Sequence, residues 1–182
     1  MATPKHAAPV PSPPLGELPD KVVLVTGGAQ GIGRGIAEGV LAAGGRVIIG
    51  DLDAEAGRAC IDEWDAGDRA AFLVLDVSKE ASAKRFVATA LRRFGRIDGL
   101  VNNAGIAGPT GNIENLTDEE WETTVTTNLN SQYYVLRKAI PFLRQSTQCP
   151  HIVSMSSVAG RLGYPFRAPY ASTKWAIIGL MK

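Results

Sequence analysis

The chain has 182 residues, 45% hydrophobic and 20% charged, which is the size and composition of one globular domain of about 100–200 residues. The formal net charge of +1, and the lack of any apolar run near the roughly 18 residues of a membrane helix, argue against nucleic-acid and membrane partners. The two cysteines, Cys60 and Cys149, stand apart and predict neither a disulfide framework nor a metal site, so we expect a soluble, cytoplasmic protein.

The first segment is rich in proline. Six of the eleven prolines lie within the first twenty residues, where each removes a backbone donor and fixes φ. The pattern predicts a disordered tail over residues 1–20, and it leaves residues 21–182 to build the domain.

Strand and helix patterns alternate five times from Val22 onward. Short β-branched runs bounded by glycine or polar residues predict the strands Val22–Val25, Arg46–Gly50, Ala71–Leu75, Gly99–Val101 and Ile152–Ser156. Apolar residues at helical spacing, and a capping box at Thr117 and Glu120, predict the helices Ile32–Leu41, Ala54–Trp64, Phe86–Phe94, Thr117–Leu143 and Tyr170–Lys182.

This alternation predicts an α/β fold with a doubly wound parallel sheet, the Rossmann architecture. The connections are long enough for crossover helices, which cover both faces of such a sheet. Parallel sheets of this kind bind ligands beyond the carboxyl ends of their strands. The polar residues of interest follow the strands at those ends.

The turn Thr26–Gly33 between the first strand and its helix contains Gly27, Gly31 and Gly33. Without a Cβ, the backbone can approach a pyrophosphate, and the free amides of the helix start supply donors. The turn therefore indicates a dinucleotide site, and the alternative is a plain tight turn.

Asp51 ends the second strand, 18 residues after Gly33. A carboxylate there accepts hydrogen bonds from the adenosine ribose and repels a 2′-phosphate, which favours NAD over NADP. Gln30 and Leu52 supply no cation, whereas Arg34 could reach a phosphate and keeps NADP open. Asp51 could instead only cap the next helix.

Tyr170 and Lys174 lie one helical turn apart and share a helix face. An ammonium favours the phenolate form of a nearby tyrosine, which makes the phenol usable as an acid or base. By itself this pair is also compatible with an exposed surface pair. Arg161 and Arg167, which precede Tyr170, could meet an anionic substrate, although solvated loop arginines are the more common case.

Five motifs in order resemble the short-chain dehydrogenases/reductases. The resemblance rests on Thr26–Gly33 as TGxxxGxG, Asn102–Gly105 as NNAG, Asn128 in the fourth helix, Ser157 placed 13 residues before Tyr170, and Tyr170–Lys174 as YxxxK. The match extends over residues 21–182. Ser156 is the alternative candidate for the motif serine, and only the spacing to Tyr170 favours Ser157 instead.

The resemblance implies a role for each matching residue. Tyr170 would exchange a proton with the substrate, Lys174 would assist it and hold the nicotinamide ribose, Ser157 would bond the reacting oxygen, and Asn128 would hold a relay water. The cofactor-binding residues would be Gly27, Gln30, Gly31, Ile32, Gly33, Asp51, Asp76, Val77, Asn102, Ala104, Gly105, Tyr170 and Lys174.

We therefore predict an oxidoreductase that transfers a hydride between NAD(H) and a small alcohol or ketone. Family members continue with two more strands and a substrate loop, so we expect a C-terminally truncated chain whose fifth strand forms an exposed apolar edge. The alternative is a non-catalytic dinucleotide-binding or interaction remnant. A methyltransferase is a third possibility that leaves Ser157, Tyr170 and Lys174 unexplained.

The resemblance also implies a homodimer or homotetramer formed through the helices at Asp118–Leu143 and Tyr170–Lys182.

Overall fold

Five parallel strands form the centre of the computed structural model, which describes residues 16–182. In chain order they are β1 (Val22–Thr26), β2 (Arg46–Asp51), β3 (Ala70–Val74), β4 (Gly99–Asn102) and β5 (His151–Ser154). Their spatial order is β3-β2-β1-β4-β5, and every neighbouring pair is parallel. The chain therefore reverses its winding direction beside β1, and this reversal opens a crevice at the carboxyl ends of β1 and β4.

Residues 16–182 form six α-helices, of which the first five lie between strands and the sixth follows β5. They are α1 (Gly31–Ala42), α2 (Ala54–Trp64), α3 (Glu80–Phe94), α4 (Asp118–Val125), α5 (Ser131–Leu143) and α6 (Ala168–Leu180). Single turns of 3₁₀-helix occur at Gly67–Arg69, Ile113–Asn115 and Val158–Gly160, and a π-helical segment spans Thr126–Asn130.

The sheet is covered on both faces, which confirms the predicted doubly wound architecture. One core packs α3 and α5 against the strands around Leu24, Phe86 and Leu100. The other packs α1 and α2 around Val25 and Ile49. All five residues of β1 are buried, because this central strand has apolar cover on both sides.

Several predicted boundaries differ from the structure, and three of them belong to segments that carry or precede proposed site residues. The long helix expected from Thr117 to Leu143 is interrupted by the π-helical segment, although the capping box at Thr117 and Glu120 is present. The last helix begins at Ala168 instead of Tyr170, because Pro169 is compatible with a first helical turn. β5 ends at Ser154, although the amide of Met155 still donates to the carbonyl of Asn102 on β4 at 2.9 Å.

β5 is the outer strand of the described sheet and pairs with β4 alone. Val153 on it is 49% exposed, which agrees with the predicted apolar edge. Of the predicted N-terminal tail, residues 1–15 lie outside the described residues, while the amide of Leu18 donates to the carbonyl of Ala43 at 2.8 Å. Within residues 16–182, no helix is both long and apolar enough to cross a membrane.

Candidate active site

Two neighbouring cavities lie at the carboxyl ends of the strands. The Tyr170 cavity, of about 420 Å³, contains Ser157, Tyr170 and Lys174 in its lining. The Gly27 cavity, of about 330 Å³, contains Gly27, Gln30, Asp51, Val77 and Ala104. Both share the residues Ile32, Asn103, Gly105 and Ile106. The fold thus places residues from four separate motifs around one continuous cleft.

The turn between β1 and α1 accepts only glycine at two of its positions. Gly27 has φ of +64°, and a Cβ there would lie 2.9 Å from the Cα of Ala104. A Cβ on Gly33 would lie 2.0 Å from the carbonyl oxygen of Gly27. The turn therefore packs backbone against backbone, and the start of α1 is exposed at Gly31 and at Ile32, which lines both cavities.

Asn103 is a site residue that our sequence-based set does not include. Its side-chain amide donates to the carbonyl oxygens of Thr26 and Gly27, at 3.1 and 2.9 Å, and so ties β4 to the glycine turn. Asn102 is 1% exposed and lies outside the linings of both cavities. The NNAG motif was the available signal, since both asparagines belong to it.

Asp51 reaches the Gly27 cavity from the end of β2. Its carboxylate accepts from the backbone amides of Ala29, at 3.1 Å, and Asp53, at 3.2 Å. The neighbouring cation, Arg34, bonds to Glu38 at 2.8 Å and to Glu63 at 2.5 Å. These two hydrogen bonds raise the pKa of Arg34 above its ordinary value. The cleft therefore presents a carboxylate near Gln30, while the nearby guanidinium is already paired.

Asp76 and Val77 follow β3. Val77 lines the Gly27 cavity, whereas Asp76 lies outside that lining. The Asp76 carboxylate accepts from the backbone amide of Ser78, at 2.9 Å, and from its hydroxyl, at 2.6 Å. Asp76 thus shapes the turn that presents Val77 to the cleft.

Lys174 projects from α6 into the wall of the Tyr170 cavity. Its Nζ lies 5.5 Å from the centroid of the Tyr170 ring and donates to the carbonyl of Met155 at 2.8 Å. Lys174 is 6% exposed, and this burial lowers its pKa, because desolvation disfavours the ammonium. The structure thus brings together the Tyr170 and Lys174 side chains that the sequence places one turn apart.

Ser156 and Ser157 make different hydrogen bonds. The Ser156 hydroxyl donates to the backbone carbonyl of Lys174 at 2.7 Å, so its proton is committed to α6. The Ser157 Oγ accepts from the amide of Ala159 at 3.2 Å and caps a 3₁₀ turn. Because Oγ is only an acceptor in that bond, the Ser157 hydroxyl proton is free to donate into the cavity.

Asn128 lies in the π-helical segment and is fully buried. Its Oδ1 accepts from the amide of Ile106 at 2.7 Å, and its Nδ2 donates to the carbonyl of Ile106 at 2.9 Å. Nδ2 also donates to the hydroxyl of Thr173 on α6, at 3.3 Å. Asn128 therefore joins the loop after β4 to the helix that carries Tyr170 and Lys174.

Comparisons with known proteins agree with this geometry. A family model described as short chain dehydrogenase matches residues 21–182. A 3beta-hydroxysteroid dehydrogenase of Mediterraneibacter gnavus is 35% identical over 169 residues, which cover 92% of this chain and 60% of that protein. The chain thus spans about three fifths of the length of the curated relatives it matches.

Solved structures show the same fold. The crystal structure of a levodione reductase superposes with a TM-score of 0.85 at 33% identity and covers 90% of this chain and 64% of its own. A short chain dehydrogenase/reductase from Burkholderia phymatum in complex with NAD also gives a TM-score of 0.85, at 30% identity. That match covers 90% of this chain and 58% of the other.

Proposed function

The chain belongs to the short-chain dehydrogenase family, and from that premise we propose that it transfers a hydride between NAD(H) and an alcohol or a ketone. The observation that carries the proposal is the cleft in which Ser157, Tyr170 and Lys174 line one cavity beside the glycine turn. Two adjoining cavities of this size provide neighbouring sites for a dinucleotide and a small organic molecule.

The residues of the Gly27 cavity fit a dinucleotide. Gly27 lines the cavity, and a Cβ there would clash with Ala104, so the turn and the loop after β4 pack together without side-chain bulk. No side chain of residues 16–182 caps the start of α1, which leaves its first amides available to a phosphate. The pyrophosphate would be held by the turn residues Gly27, Gln30, Gly31, Ile32 and Gly33, and the rest of the cofactor by Asp51, Val77, Ala104, Gly105, Tyr170 and Lys174. Asp76 and Asn102, which lie outside the cavity linings, would act only by shaping the cavity wall. When bound, the nicotinamide supplies or accepts the hydride.

Tyr170 is the proposed proton donor and acceptor for the reacting oxygen. Its ring lines the Tyr170 cavity with its centroid 5.5 Å from the Lys174 Nζ, so its hydroxyl would exchange the proton with an alcohol or ketone bound in that cavity. The free hydroxyl proton of Ser157 would donate to the same substrate oxygen as charge develops there. The resemblance adds Asn128 as the residue that holds a relay water next to Lys174.

We propose NAD as the preferred cofactor. The Asp51 carboxylate lines the Gly27 cavity and would repel a 2′-phosphate. Arg34, the cation that could counter this repulsion, is occupied by Glu38 and Glu63. Both observations support discrimination against NADP.

A second candidate is a dinucleotide-binding protein without turnover. The specific observation is the share of the relatives that this chain spans, about three fifths. Titration of the 182-residue chain with NADH, followed by assays with NAD and a panel of secondary alcohols, separates the two. Turnover that Tyr170→Phe reduces by about 10²-fold or more, with NADH binding retained, supports the enzyme. Binding without turnover supports the second candidate.

We also propose self-association as a dimer or tetramer. Large apolar side chains are exposed on the helices that the resemblance assigns to contacts, with Trp121 on α4 38% exposed and Trp175 on α6 53% exposed. Burial of such rings is the main source of association energy. Sedimentation of a single monomeric species at micromolar concentration would contradict the proposal.

A further inference from the structure

Arg167 joins two elements of the cleft that are far apart in the chain. It immediately precedes α6, and its two terminal nitrogens reach the loop that follows β4. Nη1 donates to the hydroxyl of Thr110 at 2.7 Å, and Nη2 donates to the carbonyl of Ala107 at 2.7 Å. The planar fork of a guanidinium suits such a pair of acceptors.

The same guanidinium lies over the ring of Tyr170. The Cζ of Arg167 is 5.6 Å from the ring centroid, within the range of about 6 Å in which a cation and an aromatic face attract each other. Lys174 lies 5.5 Å from that centroid, and the Tyr164 ring lies 6.3 Å away. The Tyr170 ring is thus bounded by two cations and a second ring.

The backbone beside Arg167 is held in an uncommon conformation. Phe166 has φ of +61°, in the left-handed region that side chains rarely adopt. The amide of Gly111, from the loop after β4, donates to the Phe166 carbonyl at 2.9 Å. Such a conformation persists where surrounding contacts hold it. Here the loop donates one hydrogen bond to Phe166 and accepts two from Arg167.

Two adjacent residues of the loop after β4 are therefore hydrogen-bonded to two different segments, the π-helical segment and the residue before α6. Asn128 holds both backbone groups of Ile106, and Arg167 holds the carbonyl of Ala107. Ile106 lines both cavities, while Tyr170 lines one of them. Asn128 and Arg167 thus both hold the loop that lines the two cavities.

We propose that Arg167 is a positioning residue for Tyr170. Its guanidinium packs over the Tyr170 ring, and its two hydrogen bonds attach the start of α6 to the loop that lines both cavities. This inference rests on the proposed function for its catalytic meaning. Arg167 also lines the Tyr170 cavity, but each terminal nitrogen already donates one hydrogen bond within the chain, and an anionic substrate would compete with that arrangement. A freely solvated loop arginine is inconsistent with the same contacts.

The test compares Arg167→Met and Arg167→Lys with the control Arg161→Met. Arg161 lies in the same loop, is exposed, and makes no side-chain hydrogen bond or ion pair within residues 16–182. We expect Arg167→Met to lower kcat by about 10- to 100-fold, because small displacements of a reacting group have effects of that size. KM and the NADH Kd should change by less than about threefold. Arg167→Lys, which keeps the charge but loses the fork, should recover part of kcat.

Two results would overturn the inference. One is a kcat of Arg167→Met that matches Arg161→Met, and the other is a rise in KM with kcat unchanged, which would assign Arg167 to substrate binding. If Arg167→Met does not fold, Thr110→Val replaces it, since this change removes one acceptor of the fork and should lower kcat in the same direction. An unchanged kcat in folded Thr110→Val then counts against the proposal.

A spectroscopic measurement separates this inference from the proposed function. Subtracting the near-ultraviolet circular dichroism of a Tyr170→Phe counterpart isolates the Tyr170 band in each background. We expect the band in wild type and Arg161→Met and a weakened band in Arg167→Met. If the wild-type chain shows no turnover, the proposed function fails, and the positioning role is decided by this band. An undiminished band in Arg167→Met overturns it.

Discussion

The Nζ of Lys174 donates a 2.8 Å hydrogen bond to the backbone carbonyl of Met155, the residue that follows β5. The Lys174 side chain lies in the wall of the Tyr170 cavity, and the residue is 6% exposed. Among residues 16–182, no carboxylate forms an ion pair with it. A carbonyl dipole compensates only part of the lost hydration, so burial lowers the pKa of Lys174. The free-energy penalty for burying the protonated Lys174 side chain therefore depends on pH.

Stability should therefore rise with pH relative to a Lys174→Met variant. Below the lowered pKa of Lys174, both folded and unfolded chains carry the proton, and the burial penalty is present in full. Between that pKa and the ordinary value of about 10.4, only the unfolded chain holds the proton, so the free energy of unfolding increases with pH. The gain should be about 1.4 kcal/mol for each unit by which the pKa is lowered.

Urea unfolding of the two proteins from neutral pH to about pH 10 measures this difference. A difference in unfolding free energy that stays constant over the whole range would contradict it.

Gly33→Ala should damage the turn, whereas Gly35→Ala should not. The added methyl at Gly33 would lie 2.0 Å from the Gly27 carbonyl oxygen, so backbone must shift. We expect a loss of about 1–3 kcal/mol in the free energy of unfolding and a fall of at least about tenfold in NADH affinity. Gly35 is exposed within α1, and a Cβ there meets nothing within 4 Å among the described residues.

The same glycine-to-alanine change at Gly35 should instead stabilise the chain by about 0.5–1 kcal/mol, because alanine favours helix. Thermal melts and NADH fluorescence titrations on both variants check the pair. Equal effects at Gly33 and Gly35 would argue against close packing of the turn.

Asp51→Ser should weaken NADH binding and reduce the discrimination against NADPH. Loss of a hydrogen bond that a ribose hydroxyl donates to a charged carboxylate costs about 1.5–3 kcal/mol, so the NADH Kd should rise by about 10- to 100-fold. Adding Glu63→Gln removes one of the two carboxylates that hold Arg34 and should improve NADPH binding further. Calorimetric titration with each nucleotide gives the ratio of the two Kd values, and Glu63→Gln alone serves as the control. If the ratio of the NADH and NADPH Kd values is unchanged in the double variant, the charge of Asp51 does not select NAD over NADP.

Asp98 should contribute stability without affecting cofactor binding. It is 3% exposed, and its carboxylate accepts from the amide of Val22 and from the side chains of Arg96 and Ser146. Burial opposes ionisation, but these hydrogen bonds outweigh it and lower the pKa of Asp98. Asp98→Ala leaves buried donors unpaired, so we expect a loss of about 3 kcal/mol.

A depressed carboxyl pKa stabilises the folded chain above the unfolded value of about 3.9, and this contribution disappears as pH falls through the lowered pKa of Asp98. Urea unfolding should therefore show the difference between wild type and Asp98→Ala shrinking in acid. NADH affinity should be unchanged, because Asp98 bonds at the amino end of β1, away from the cleft. Asp62→Ala, at an exposed position of α2, is the matched control.

Much of the fold could be predicted because local patterns and burial agree in this chain. The apolar run of β1, the alternation of strands with amphipathic helices and the capping box at Thr117 all give local signals that tertiary packing reinforces. The predicted element boundaries were wrong where tertiary packing overrides the local hydrophobic pattern. One example is the π-helical segment, which brings Asn128 to Ile106.

The sequence by itself determined the parallel α/β architecture, the family, and the order of the residues proposed for chemistry, since spacing along the chain carries that information. Tertiary structure alone decided which asparagine faces the cleft, which serine keeps a free proton, and how Arg167 reaches a loop 57 residues earlier. These choices depend on distances between elements remote in sequence, and a side chain's hydrogen-bond partner becomes defined only when both elements are packed.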